Sequence, residues 1–256
     1  MRYRYLLLFF LFSLFLSCEL LFDYNLFDKW DQADIPSASD LRNLGDEALD
    51  FLDENLNSDD FIENLNSDQA AKDEILNFLE EDYLSEEPND ENRENYQKAA
   101  ILYGKIEMST GPADDISDSL VDAVLNGEKD IDVADLFPED LSESEFDSAL
   151  DSLLSSAEAF TKLGESLQDE DNDGDLDTAG EVNLGEVVQD AAVAVFVKTV
   201  YDSIPGSEEE KREGLKNYIT ADGENPVPED VDVAETAGNN QALNNIFEAA
   251  DFTVEF

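Results

Sequence analysis

The chain has no histidine, and its 256 residues include one cysteine, Cys18, and one tryptophan, Trp30. Without imidazole there is no Ser-His-Asp triad, no histidine base poised near neutral pH and no histidine-ligated transition metal. A lone thiol forms neither an internal disulfide nor a zinc-thiolate site. Positive charge is scarce too: 14 lysines and arginines stand against 65 aspartates and glutamates, a net charge of −51. Nucleic acids and anionic lipid surfaces are bound through basic patches, so both are excluded as electrostatic partners. The apolar run Leu6 to Leu16 is shorter than the roughly 20 residues a bilayer-spanning helix needs.

That run follows Arg2 and Arg4 and ends at Ser17-Cys18, the layout of a secretory signal. The residues Leu14-Phe15-Leu16-Ser17-Cys18 resemble a bacterial lipobox of the looser, spirochaetal kind. The resemblance implies cleavage after residue 17, lipid on Cys18, export across the inner membrane and attachment to the cell envelope by that lipid. An uncleaved anchor continuing through Leu20-Leu21-Phe22 is the alternative. Residues 18–38, with Trp30, Pro36 and several aspartates but no clear period, read as a tether, and residues 39–256 as an acidic helical domain.

Within that domain apolar residues recur at three- and four-residue spacing, the period of a helix face. Leu41, Leu44, Ala48 and Leu52 form one stripe, and Ala71, Ile75, Leu79 and Tyr83 another. Between them Glu54 to Asp59 is repeated as Glu63 to Asp68, a unit too short for a solenoid; Ser58 and Ser67 are each expected to start a helix. After a polar linker, Pro88 to Glu94, a helix carries Tyr96, Ala99, Ala100, Tyr103 and Ile106 and stops at Gly111-Pro112. A shorter one uses Ile116, Leu120, Val121 and Val124. Ser142-Glu143-Ser144-Glu145 is a capping box, and behind it Phe146, Leu150, Leu153, Ala157, Phe160 and Leu167 make the longest clean stripe. Asn183 to Glu186 reads as a second capping box before Ala191 to Val197, which is apolar on every face and therefore central; its β-branched content keeps a buried strand open as an alternative. Further helices are expected behind Ser207, around Leu215, Tyr218 and Ile219, and at Ala242, Leu243, Ile246, Phe247 and Ala250. The ending Phe252 to Phe256 alternates like a strand but has no alternating partners, so its aromatics read as packing. The expected fold is all-α, a multi-helix bundle or irregular helical array with one acidic helix-loop-helix insertion.

The insertion is Asp169-Glu170-Asp171-Asn172-Asp173-Gly174-Asp175-Leu176-Asp177. Carboxylates at alternate positions can converge on one hard cation, Gly174 permits the sharp turn, and Leu176 anchors the loop. The order resembles the calcium loops of the EF-hand and dockerin families. The resemblance implies a Ca²⁺ held by Asp169, Asp171, Asp173, Asp177 and the carbonyl of Asp175. The family's twelfth-position glutamate is here Gly180, and the nearest candidate, Glu181, stands one residue later. The expected affinity is therefore that of extracellular modules, about 10⁻⁴ to 10⁻³ M, and no opening switch is expected. Acidic surface by composition alone is the competing reading.

Removing Arg2 and Arg4 with the signal takes the net charge from −51 to −53. The amphipathic stripes can bury a core, so the chain reads as a folded domain with an acidic shell rather than as a disordered one. Acids spread along the whole chain resemble proteins of halophilic bacteria, in which concentrated salt screens the self-repulsion; a low-affinity cation buffer is the rival. No catalytic pair of carboxylates stands out. Three functions follow: a lipid-anchored binding or scaffold protein with one structural calcium ion and an unknown envelope partner; an extracytoplasmic solute- or cation-binding protein; and, least supported, a carboxylate-dependent hydrolase.

Overall fold

The computed structural model describes residues 35–45, 47–113, 137, 141–167, 184–220, 225–228, 236 and 238–250. They are all-α, as expected, with no strand among the described residues. In chain order the helices are α1 (Ala38–Leu44), α2 (Glu47–Leu56), α3 (Asp59–Ser67), α4 (Gln69–Leu79), α5 (Arg93–Met108), α6 (Glu143–Ser166), α7 (Val188–Ser203), α8 (Glu208–Thr220) and α9 (Gln241–Ala249). A π turn, Glu80–Leu84, extends α4, and a 3₁₀ turn, Leu184–Glu186, precedes α7.

Helix α6 is the axis. Its 24 residues span about 36 Å, and α5, α7 and α9 all pack on it. The capping box is formed: Glu145 N–H donates to Ser142 Oγ at 3.3 Å, and Ser142 N–H donates to Glu145 Oε2 at 2.9 Å. Every residue of its predicted stripe, Phe146 through Leu167, is buried. Two glycines let neighbours approach closely. A Cβ on Gly104 of α5 would strike the ring of Phe160, and one on Gly164 would strike the backbone of Ala242 in α9. The second contact is backbone to helix, so no rotamer change could relieve it.

Behind α5 lie α2 and α4, with α1 and α3 packed on those two, so α5 is covered on most sides. Ile101, Leu102 and Met108 are buried in addition to the predicted Tyr96, Ala99, Ala100 and Ile106, while Tyr103 is half-buried. On the other side α7 is helical, not extended, and Ala191 to Val197 are all buried, as their all-round apolar character requires.

Several local expectations are corrected. The stripe Leu41 to Leu52 is broken into α1 and α2 at Gly45, whose φ of 61° an L side chain rarely adopts. Ser67 does not start a helix: it ends α3, its hydroxyl donating to Asn64 O, and Asp68 caps α4 by accepting from Ala71 N–H. Ser58 does precede α3 but makes no side-chain cap. Helix α7 begins only at Val188, with Val187 at the N-cap and no side-chain cap, so the segment after Leu184 spends one 3₁₀ turn before the helix starts. At the other end of the chain, Ile35 to Ala38, inside the stretch read as tether, already pack on the core, and Ser37 with Asp40 forms a capping box that sequence reading missed. The expected helix around Ile116 to Val124 and the ending Phe252 to Phe256 lie outside the described residues.

Candidate functional site

The expected metal ligands Asp169, Asp171, Asp173, Asp175, Asp177 and Glu181 lie outside the described residues, as does Cys18. Among the described residues no group of three His, Cys, Asp or Glu is placed to hold a metal. The two ends from which the acidic loop departs are described: the first is held by hydrogen bonds from neighbouring helices, and the second by the burial of Leu184. At the end of α6, where carbonyls lack intrahelical partners, Asn245 Nδ2 donates to Gly164 O at 2.8 Å and to Leu167 O at 3.1 Å. Ser166 Oγ donates to Leu163 O, and Gln97 Nε2 of α5 to Ser166 O. Leu167 and Leu184, on either side of the loop, are both buried. Side chains from α5 and α9 thus cap the helix that leads into the loop, so its root is fixed by three helices at once.

A second polar centre was not foreseen. Lys72 of α4 and Glu107 of α5 form an ion pair at 2.5 Å, with side chains only 6% and 10% exposed. Ser152 of α6 donates to the same Glu107 oxygen at 3.0 Å, so the pair ties three helices together. One helical turn along, the Ser156 hydroxyl donates to Ser152 O at 2.7 Å and lies 3.4 Å from Gly104 O. The sequence signal was a charged residue on a core stripe in each of two helices: Lys72 lies three residues before Ile75, and Glu107 sits beside Ile106 and Met108.

Beside this pair opens a cleft of about 260 Å³ between α3, α4, the turn after α5 and the start of α6. Its lining is polar apart from Pro112 and Gly111, and Lys72 and Thr110 form its buried floor. A smaller cleft of about 60 Å³ lies between the π turn, Tyr103 and α6, with Glu80 and Glu158 among its walls. It has room for a few waters and not for a sugar ring. Burial, and then the charges of Glu107, Glu80, Glu158 and Asp73, push the Tyr103 hydroxyl up to about 12, so it stays protonated at ordinary pH and can donate but not act as a base. The capping carboxyls are shifted the other way. Ser142 holds Glu145 below its usual value, and Ser207 does the same for Glu210, because both hydrogen-bond the ionised form. These acids are ionised caps and not proton donors.

The basic residues share one fate. All ten described lysines and arginines pair with carboxylates of the chain itself. Seven of them bridge different elements. Arg42 of α1 meets Glu81 and Asp82 in the π turn at 3.0 and 2.9 Å; Lys98 and Lys105 of α5 reach Asp50 and Asp53 of α2. Lys162 of α6 reaches Glu80, Lys72 reaches Glu107, and Arg212 and Lys216 of α8 reach Asp147 on α6. Seven of the ten described cations thus sit at junctions between elements, and the other three pair locally with Asp90, Asp202 and Glu208, so none is without a carboxylate of the chain itself. No known family matches the chain, and neither a curated protein nor a solved structure is similar to it.

Proposed function

We propose that the chain is a lipid-anchored extracytoplasmic binding or scaffold protein with no catalytic activity. Its residues 1–17 direct export across the inner membrane, lipid on Cys18 holds it to the bacterial cell envelope, and one structural Ca²⁺ occupies the loop 169–181. The observation that carries the reading of a binding surface is the placement of the cations. With every described lysine and arginine paired internally, the exterior offers carboxylates, so an envelope partner engages it through cationic groups or through bridging metal ions. The pinned root of the acidic loop supports the calcium reading, since ion binding in a loop whose ends are fixed loses less freedom than in a floppy one. No described helix is long and apolar enough to cross a membrane.

Mass spectrometry of the mature amino terminus from the native host tests the anchor. The proposal expects Cys18 as first residue, carrying acyl chains. An intact Met1, or cleavage elsewhere with Cys18 unmodified, overturns it.

A further inference from the structure

The 260 Å³ cleft is floored by two polar side chains that water hardly reaches, Lys72 at 5% and Thr110 at 2% exposed. We infer that this cleft binds a small zwitterion of amino-acid size, its carboxylate on the Lys72 ammonium and its ammonium on the Glu145 carboxylate. The site is independent of the lipid anchor and of the calcium loop.

The floor supplies the first half. Of the three N–H groups of Lys72, one is directed at Glu107 Oε2, while the Thr110 hydroxyl is committed to Ile106 O at 2.6 Å. The ammonium therefore keeps donors for an occupant. Replacing a buried ion pair by apolar side chains of the same volume is often neutral or stabilising, so stability by itself is a weak account of a lysine here. Placed at the floor of an open polar cleft, the same lysine is a held and oriented cation: Glu107 fixes it, and Ser152 fixes Glu107.

The rim supplies the second half. Glu145, on the wall of the cleft, accepts the Ser142 N–H through Oε2, and a carboxylate has further lone pairs to offer an occupant. The exposed hydroxyls of Ser144 and Ser148 add donors on the same wall. Charge then selects the ligand class. A chain of net charge −51 opposes the approach of a simple anion, and Lys72 opposes a simple cation. A molecule with both charges and no net charge meets a complement at each end. The cleft is smaller than the pockets that take drug-sized ligands, which sets the size at a few heavy atoms.

Saturation-transfer NMR on the full chain in about 0.1 M NaCl, where the net charge is still felt, with L-serine as probe and acetate and ethylamine as half-molecule controls, tests the inference. L-serine should give a saturable signal, with acetate and ethylamine each bound roughly tenfold more weakly or worse. Ser148→Trp fills the cleft from its exposed rim without touching the core and should abolish the signal. The double variant Lys72→Met with Glu107→Leu removes the floor charges together and should abolish it as well. If that variant fails to fold, Ser148→Trp decides alone. Absence of a saturable L-serine signal, equal binding of either control, or a signal that survives in a folded variant overturns the inference.

Discussion

Lys72 and Glu107 form an ion pair with side chains about nine-tenths buried, which Ser152 joins through a neutral hydrogen bond, so neither charge can be removed alone without stranding the other. Lys72→Met leaves the Glu107 carboxylate buried without its cation and should lower the unfolding free energy by about 3–5 kcal/mol in urea titrations. Adding Glu107→Leu should restore most of that loss, because an apolar pair needs no desolvated charge. At Gly164 the limit is space. Gly164→Ala drives a methyl into the Ala242 backbone of α9, and because backbone cannot rotate away the cost should reach or exceed the roughly 1–3 kcal/mol of ordinary overpacking, read as a lower urea midpoint. Tyr103 reports on its own surroundings. Its folded value of about 12 lies above the ordinary 10.0, so its contribution is intact below pH 10 and is lost as pH rises from there through 12. Ultraviolet titration of phenolate should show a step near pH 12 that Tyr103→Phe removes.

Helices α6, α7 and α9 were legible in the sequence because their apolar period and their burial coincide: one stripe turned inward, or an all-apolar segment with no outward face. Helix α5 was legible only as a helix. Its burial among α2, α4, α6 and α7 depends on which helices meet it, and Glu107 looked like one more of 65 acids until α4 was placed against it. The break at Gly45 and the late start of α7 were hidden for a related reason: the apolar spacing continues across both, and only the backbone shows that the chain turns. The acidic loop is the element whose chemistry the sequence states most openly, by alternation of carboxylates ahead of Gly174, and it lies outside the described residues. Two unit charges about 4 Å apart repel by about 1 kcal/mol in water and about 4 kcal/mol at the effective dielectric of a protein surface, so such a loop closes best around a cation. With Ca²⁺ at about a hundred times its dissociation constant, stabilisation should approach about 2.7 kcal/mol. Melts in high NaCl comparing Ca²⁺ with Mg²⁺, on the wild type and on Asp171→Asn with Asp173→Asn, should show a calcium-specific rise only in the wild type. An equal rise in both proteins, or one no larger than with Mg²⁺, would make the loop acidic surface.

For the molecule as a whole, two electrostatic terms respond oppositely to salt. Screening weakens the ion pairs at the helix junctions, but those on the surface are worth only about 0–1 kcal/mol each. It also relieves repulsion among carboxylates that outnumber the basic groups by 51, a term that acts across the entire shell. Between about 0.1 M and 1 M salt the Debye length falls from about 10 Å to about 3 Å, shorter than most spacings between surface charges yet still about the length of a direct ion pair. Repulsion is therefore switched off before the junction pairs are. The most direct test is the melting temperature of the full chain across that range of NaCl, without divalent ions. A steady rise is the predicted result; a flat or falling melting temperature would mean that the internal pairs outweigh the acidic shell, and would contradict the account of a surface left to unbalanced carboxylates.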